Sequence, residues 1–557
     1  MAASTPSGAP SSKEKKYDRQ LRLWGANGQN KLESAHIALF NASAAGCEIL
    51  KNLILPGVGQ FTVIDDKLVE EADLGANFFL DEESLGKPRA ERTAALLGEL
   101  NPDVKGNYLV DSLSNTLSAK PELLNPRSTP FTHIVIISPV PTPLLLQIPI
   151  EIPVFLVNCV GLLFTLRISA PLHTIVEAHP ESLVDLRLLN PWPELSALAA
   201  EKTKNLEVQQ EMDGDEGMSD HEHGHVPYLV LLLKYLDDWK RRPEGDGTHP
   251  SSYKEMTAFR SFVQDKMRTH VPGGSEENYE EAVAAVLKHV RKAEVSEYAK
   301  TVLDHPACAN VTSESTNFWI IAKAVKQFLE SPEQGNGLLP LSGGIPDMKA
   351  ESSGYVALQN VYKNKARHDA ALVQKNVQSI LSSIGREPSS ISLEEIEIFC
   401  RHANFLRAIS FRPFSAELST DEFHKKVVKD AFESWDADSA LINDYVAFRA
   451  FQEFITQNNG RAPGDTEGPL DEDTVEMQRL AKAYLSEVGC SLELAERTEN
   501  IIGELVRYGG AELHNTASLA GGLVAQEIIK IITQQYVPGN NTILFDGISS
   551  KTGTYVL

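Results

Sequence analysis

The sequence predicts an α/β fold: a doubly wound, Rossmann-like sheet interrupted by a large, mainly helical insertion. Three observations point there. Residues 17–170 alternate short apolar runs with amphipathic ones, residues beyond about 175 carry only helical patterns, and the C-terminal end returns to strand-like runs. At 557 residues and 42% hydrophobic content, the chain can bury more than one core. The expected division is a disordered tail over 1–15, the first part of the α/β domain over 16–170, the insertion over 171–505 and the closing part over 506–557.

His36-Ile-Ala-Leu-Phe-Asn41 reads as a short buried strand, and Ala45 to Leu55 as the helix after it. Phe61-Thr-Val-Ile-Asp65 is the next strand and ends on an acid, about where a dinucleotide fold holds a ribose. A helix follows over Pro88–Leu100, with Pro as its first residue. Strands are expected at Tyr108–Val110, Thr132–Ile137, Val154–Val157 and Leu163–Ile168. The apolar stretch Ile134–Ile168 could be mistaken for a membrane span. Its five prolines would break any helix, so it reads as buried strands of a parallel sheet with a short crossover.

Within the insertion, Tyr228–Trp239 is apolar on most faces and should be buried. Further helices are expected at Glu277–Leu303, Phe318–Leu329, Tyr355–Ile384, Leu393–Leu406 and Ala437–Thr456, with Ser392 and Glu395 as a capping box. Polar breaks at 206–225, 241–252, 331–344 and 459–474 read as loops. Ser518–Ile532 is an apolar helix, and Asn541–Asp546 and Thr554–Val556 are closing strands returning to the first sheet.

A net charge of -24 argues against non-specific binding to nucleic acid or an anionic membrane, both of which need a basic face. Cys47, Cys159, Cys308, Cys400 and Cys490 are scattered and form no C-x-x-C pair, which fits a reducing cytoplasmic or nuclear compartment. The N-terminus has no apolar run of the secretory kind.

The turn after the first strand carries the chemistry. It reads Asn41-Ala-Ser43-Ala-Ala-Gly46, so only the last glycine of a G-x-G-x-x-G pattern survives. The first glycine allows a sharp turn and the second lets backbone approach phosphate. A fold with this frame and without the cradle suggests a partner subunit, not a self-sufficient enzyme.

Other candidates stand beside plainer readings. Arg19 or Arg22 of Tyr17-Asp-Arg-Gln-Leu-Arg-Leu-Trp-Gly25 could reach a phosphate, or could be surface arginines of an amphipathic helix. Asp65 and Asp66 could hold a ribose or metal, or could simply turn the chain. Lys87-Pro-Arg89 could hold a phosphate at a helix N-terminus, or could start that helix with basic neighbours. His221, His223 and His225 could ligate a metal; a solvated acidic loop over Glu211–His225 is the simpler reading. No cysteine has the setting of an activated nucleophile.

The segments YDRQLRLWG, GCEILKNLILPGVGQFTVID, ANFFLDEESLGKPRAE and RYGGAELHNTASLAGGLVAQEIIKIITQQYVPGNNTILFDG resemble the adenylation domain of ubiquitin-like-protein activating enzymes (the ThiF/MoeB/HesA group). HVPYLVLLLKYLDDWKR, FWIIAKAVKQFLE and GGIPDMKAESSGYVALQNVYKNKA resemble, within that family, the regulatory halves of its neddylation branch. The resemblance covers nearly all of the chain from about residue 16.

The resemblance implies a site that this chain lacks. Asn41 and Ser43 stand where the family has glycines, Asp73-Leu-Gly-Ala76 where it has Asn and Arg, Arg89 where it has Lys, and Ser138-Pro139 where it has an Asp-Asn pair. Asp65 alone is retained. No cysteine is followed by Thr, as the family's catalytic cysteine is. Ending at Leu557, the chain is also expected to lack the ubiquitin-fold domain that recruits a conjugating enzyme. The implied cofactors, ATP and magnesium, then belong to a catalytic partner subunit, with no metal or nucleotide held here.

By resemblance, Arg19 crosses a pseudo-symmetric heterodimer interface to the partner's ATP, as an arginine finger in trans. Trp24, with Gly343, Gly344, Ile345, Pro346, Asp347, Met348 and Tyr355, is expected at partner contacts, and Arg22 is expected to be structural. Other implied partners are the neddylation modifier and, indirectly, its conjugating enzyme, upstream of cullins. Two other functions fit the chain: an autonomous adenylating enzyme with a divergent loop, and a signalling scaffold or adaptor.

Overall fold

In the computed structural model the apolar runs of the N-terminal segment form strands β1 His36–Phe40, β2 Gln60–Ile64, β3 Lys105–Leu109, β4 His133–Ile137, β5 Val154–Val160 and β6 Leu163–Ser169. The structure describes residues 11–149, 151–182, 184–208, 217–271, 274–434 and 439–557. β3–β2–β1–β4–β5 are parallel neighbours, and β6 continues the sheet antiparallel to β5. Thr542–Asp546 then adds to β6 and Lys551–Tyr555 closes that edge, both antiparallel.

The sheet is therefore mixed, not wholly parallel beyond β4. The reason lies in the connection: only Gly161 and Leu162 separate β5 from β6, too few for a crossover but enough for a hairpin. Gly161 has φ +55, and a Cβ there would lie 2.0 Å from the Tyr508 ring, so glycine alone fits. No helix among the described residues is long and apolar enough to cross a membrane.

The helix Ala44–Ile54 is buried along nearly its whole length, against β1 and the helix His514–Thr533. Gly521 of the latter permits that approach, since a Cβ would sit 2.5 Å from Cβ of Glu48. The unit formed by Met1–Ile175 also takes in Ile409–Leu557, whereas Val176–Ala408 forms the second unit. The return thus comes at 409, ahead of the expected 506. Helices Ile442–Gln457, Leu470–Val488 and Glu496–Tyr508 share one core with Val160, Leu163 and Leu544 of the sheet, so they belong with it.

The second unit is helical. Its Tyr228–Arg241 helix is buried as its composition requires. The expected helix over 277–303 is two, Glu277–His289 and Glu297–Leu303, because Ser296 accepts from the backbone N–H of Ala299 and starts a new one. Half of the Ser392–Glu395 capping box forms: Ser392 Oγ accepts from Glu395 N–H, while the Glu395 carboxylate accepts from Asn317 instead. Ser12–Lys16 is helical with a capping box at Ser11, so the described part of the expected tail, from Ser11, is ordered; residues 1–10 lie outside the described residues.

Three histidines of the first unit are held neutral by burial: His133 is pushed down to about 3, and His173 and His424 to about 4. Their folded values lie below the unfolded value of about 6.5. Protons therefore bind the unfolded chain first, and stability that is complete above that value falls as pH drops toward the folded ones. Each imidazole should cost on the order of 3 kcal/mol by about pH 4. The thermal midpoint should decline between about pH 6.5 and 5, where most carboxylates are still charged. A midpoint flat across that window would contradict the assignment.

Candidate functional site

The turn between β1 and the Ala44–Ile54 helix is where this fold presents backbone to phosphate. Asn41 takes φ +66 there, a left-handed conformation that Asn tolerates better than most residues, and so makes the sharp turn in place of a glycine. Its side-chain amide donates to the carbonyls of Ile137 and Ser138 at 3.1 and 3.2 Å. Gly46 keeps the role of the third glycine: a Cβ would meet Leu39 and the Asn41 carbonyl at 3.1 Å.

The residues that depart from the family pattern bond to one another. Arg89, at the start of the Arg89–Gly98 helix, does not face a ligand. It turns inward at 6% exposure and donates to Asp65 at 2.8 Å, Asp73 at 2.9 Å and Asn41 Oδ1 at 2.7 Å. Asp65 also accepts from the backbone N–H groups of Ala42 and Lys67, at 2.7 and 2.9 Å. The carboxylate expected to hold a ribose or metal is thus fully engaged within the chain. Asp66 and Lys87 are exposed beside it.

The helix N-terminus is filled as well. The carboxylate of Glu512 accepts from Ser43 Oγ at 2.7 Å and from Ala45 N–H at 2.9 Å. It stands in the place of a phosphate, an anion satisfying donors that open a helix. Burial pushes the Glu512 carboxyl upward, against the opposing pull of Ala45 N–H, Ser43 and Arg89. What remains at the strand ends is a cleft of about 170 Å³ lined by Asn41, Asp65, Asp66, Asp111 and Pro139. Ligand sites usually exceed about 300 Å³, and Asp65, the carboxylate that would meet a ribose, is already taken by Arg89. The residues present do not fit a bound nucleotide.

Sequence reasoning found Asn41, Ser43, Asp73 and Arg89 as departures but missed Glu512. The only signal for it is an acid just before a glycine-rich apolar helix.

Upstream, Tyr17 anchors the first motif. It is buried, its hydroxyl donates to Asp103 at 3.2 Å and accepts from Asn101 at 3.0 Å, and its ring lies where a Cβ on Gly57 would come within 2.9 Å. Two residues on, Arg19 is exposed and has no ion pair among the described residues. Arg22 is tied to Asp18 at 3.0 Å. Trp24 is 9% exposed, with its indole N–H on Gln29 at 3.0 Å, so it packs within its own core and leaves little surface open.

In the second unit, Gly343 takes φ +78 against Ala366. Ile345 and Met348 are partly buried against that unit's core, Gly344 and Asp347 are exposed, Pro346 and Tyr355 are half-buried, and the Tyr355 hydroxyl reaches Asp347 at 3.4 Å. The segment is laid along its own unit with an exposed outer side.

The histidine-rich stretch is not wholly a solvated loop. Residues 209–216 lie outside the described residues, but Asp220–His223 is a helical turn and His223 is buried. Its Nδ1 meets Glu276 at 2.7 Å and its Nε2 meets the Tyr279 hydroxyl at 3.1 Å, so it serves as a core hydrogen-bonding group. No cluster of three metal-ligating side chains occurs among the described residues. Burial raises all five thiols, Cys47 to about 12 and Cys308 to about 11, the reverse of an activated nucleophile.

Residues 17–129 match the ThiF family. The chain is 40% identical to a NEDD8-activating enzyme E1 regulatory subunit of Xenopus laevis, over 98% of this chain and 99% of that one. It is 38% identical to one of Danio rerio over 98% and 99%. To the NEDD8-activating enzyme E1 regulatory subunit AXL of Arabidopsis thaliana it is 36% identical over 97% and 99%.

Proposed function

The chain belongs to the family of NEDD8-activating enzyme E1 regulatory subunits, and on that premise we propose that it is the non-catalytic half of a heterodimer. A catalytic subunit binds ATP and magnesium, adenylates the C-terminus of the neddylation modifier and carries the thioester cysteine. The modifier then passes to its conjugating enzyme and on to cullins. The carrying observation is the closed cradle: Arg89 on Asp65 and Asp73, and Glu512 on the helix N-terminus, occupy the places of ribose and phosphate partners. The raised thiols support placing the thioester on the other chain.

Arg19 is the active contribution in this reading. A guanidinium brought to the partner's ATP stabilises negative charge that shifts onto pyrophosphate as the acyl-adenylate forms. Its exposure and lack of an ion pair support that role. The outer side of Gly343–Tyr355 is assigned to partner contact.

Modifier-dependent ATP–pyrophosphate exchange tests the reading. The chain alone should be silent, and the mixture with the catalytic subunit should exceed that subunit alone. Exchange by the chain alone would favour an autonomous adenylating enzyme. Equal exchange with and without the chain would favour a scaffold or adaptor.

A further inference from the structure

The second unit holds a cleft of about 280 Å³, remote in sequence from the closed cradle. Its lining carries Arg187, Arg291, Lys292 and Arg401 against only Asp185 and Glu294, a local excess of cations in a chain of net charge -24. His289, from the end of the Glu277–His289 helix, also faces it and is held toward its neutral form by burial, with Lys288 and Arg291 adding to the effect.

Arg187 is the buried member, at 7% exposure. Its Nε and Nη2 donate to Asp185 at 3.2 and 3.1 Å, and Nη2 also donates to the Leu339 carbonyl, while Nη1 makes no hydrogen bond among the described residues. That nitrogen is not sealed from solvent, so its N–H groups are open to water or to an anion entering the cleft. Its backbone has φ +47, a conformation uncommon for a residue with a Cβ and one that persists where surroundings enforce it.

Arg291, Lys292 and Arg401 are exposed and have no ion pair among the described residues. Arg291 and Lys292 sit in the break between helices Glu277–His289 and Glu297–Leu303, and Arg401 ends the helix Leu393–Arg401. The interhelical break and the end of another helix thus bring three cations without ion pairs to the cleft that Arg187 also lines. A single carboxylate would need one such partner. Several converging cations suit a group bearing two or more negative charges, and arginine forks match phosphoryl oxygens.

We propose that this cleft binds a small phosphorylated molecule, with Arg187 at its floor and Arg291, Lys292 and Arg401 closing around the phosphoryl oxygens. At about 280 Å³ the cleft lies just under the usual range for ligand sites, which limits it to a compact ligand. The assignment is independent of the adenylation reading.

The test is calorimetric titration of the full chain with inorganic pyrophosphate in magnesium-free buffer. One saturable site per chain is expected. The paired variant Arg291→Glu with Lys292→Glu, and separately Arg401→Glu, should each weaken binding about tenfold or more. Arg260→Glu, on the exposed face of another helix, should leave it unchanged. Because these positions are exposed, their thermal midpoints should match the parent, which separates lost binding from lost folding. No saturable binding in the millimolar range, or binding indifferent to the cleft reversals, would overturn the proposal. Tighter binding of a phosphoserine peptide than of pyrophosphate would overturn the small-molecule assignment.

Discussion

Arg19→Ala should slow modifier-dependent ATP–pyrophosphate exchange by the assembled heterodimer about a hundredfold or more, while the two chains stay together. Removing one donor aimed at developing charge commonly costs about 10²–10³ in rate, and arginines supplied in trans reach larger values. The neighbourhood makes the experiment clean. Tyr17 is anchored by Asn101 and Asp103, so truncating Arg19 leaves its helix in place. Arg22 provides an internal control. It is already paired with Asp18 in water, and such pairs contribute little, so Arg22→Ala should change exchange only slightly. The effect of Arg19→Ala should fall mainly on the rate at saturating ATP, since the contact strengthens as charge moves. An unchanged rate in an intact heterodimer would remove Arg19 from the mechanism.

Arg89→Ala should destabilise the first unit by about 3–5 kcal/mol, the typical cost of leaving buried charges without their counterion. Asp65 and Asp73 both lose their cation, and Asn41 loses a donor at the strained turn. Arg89→Lys should rescue little, because one ammonium cannot serve three separated acceptors as a planar fork does. Pairing Arg89→Ala with Asp73→Asn should cost less than the two changes summed, since the second relieves one stranded carboxylate. The readout is the thermal midpoint together with amide exchange in the Ala44–Ile54 helix. Parent-like values would mean that the network is incidental.

Much of the sheet is legible in the sequence because buried strands are continuous apolar runs; Ile134–Ile137 and Phe155–Val157 could hardly lie elsewhere. Strand direction is less legible. It turned on a two-residue hairpin at Gly161, a local cue that the strand runs themselves do not carry. The break after His289 escaped because its apolar residues keep helical spacing across Ser296, and only the cap reveals the restart. At the candidate site, each departure could be seen singly, but their coupling could not. Arg89 meets Asn41 and Asp73 across the fold, and Glu512 reaches Ser43 only because the last helix returns to the first. Burial of His223 was hidden for the same reason: Glu276 and Tyr279, its partners, come from another helix and its preceding turn.

The discontinuity of the first unit has a consequence for biosynthesis. β6 is buried along its whole length, and the strand that covers its open edge, Thr542–Asp546, is made only after the whole second unit. The Ala44–Ile54 helix likewise waits for His514–Thr533. At ordinary translation speeds, the residues between Ile175 and Ile409 alone take roughly 10–50 s to synthesise. Throughout that interval the nascent chain carries an unpaired apolar strand edge, the feature that most readily recruits another chain. Holdase chaperones on the ribosome, and the supply of them, should therefore set the yield of this protein more than the stability of its finished fold does.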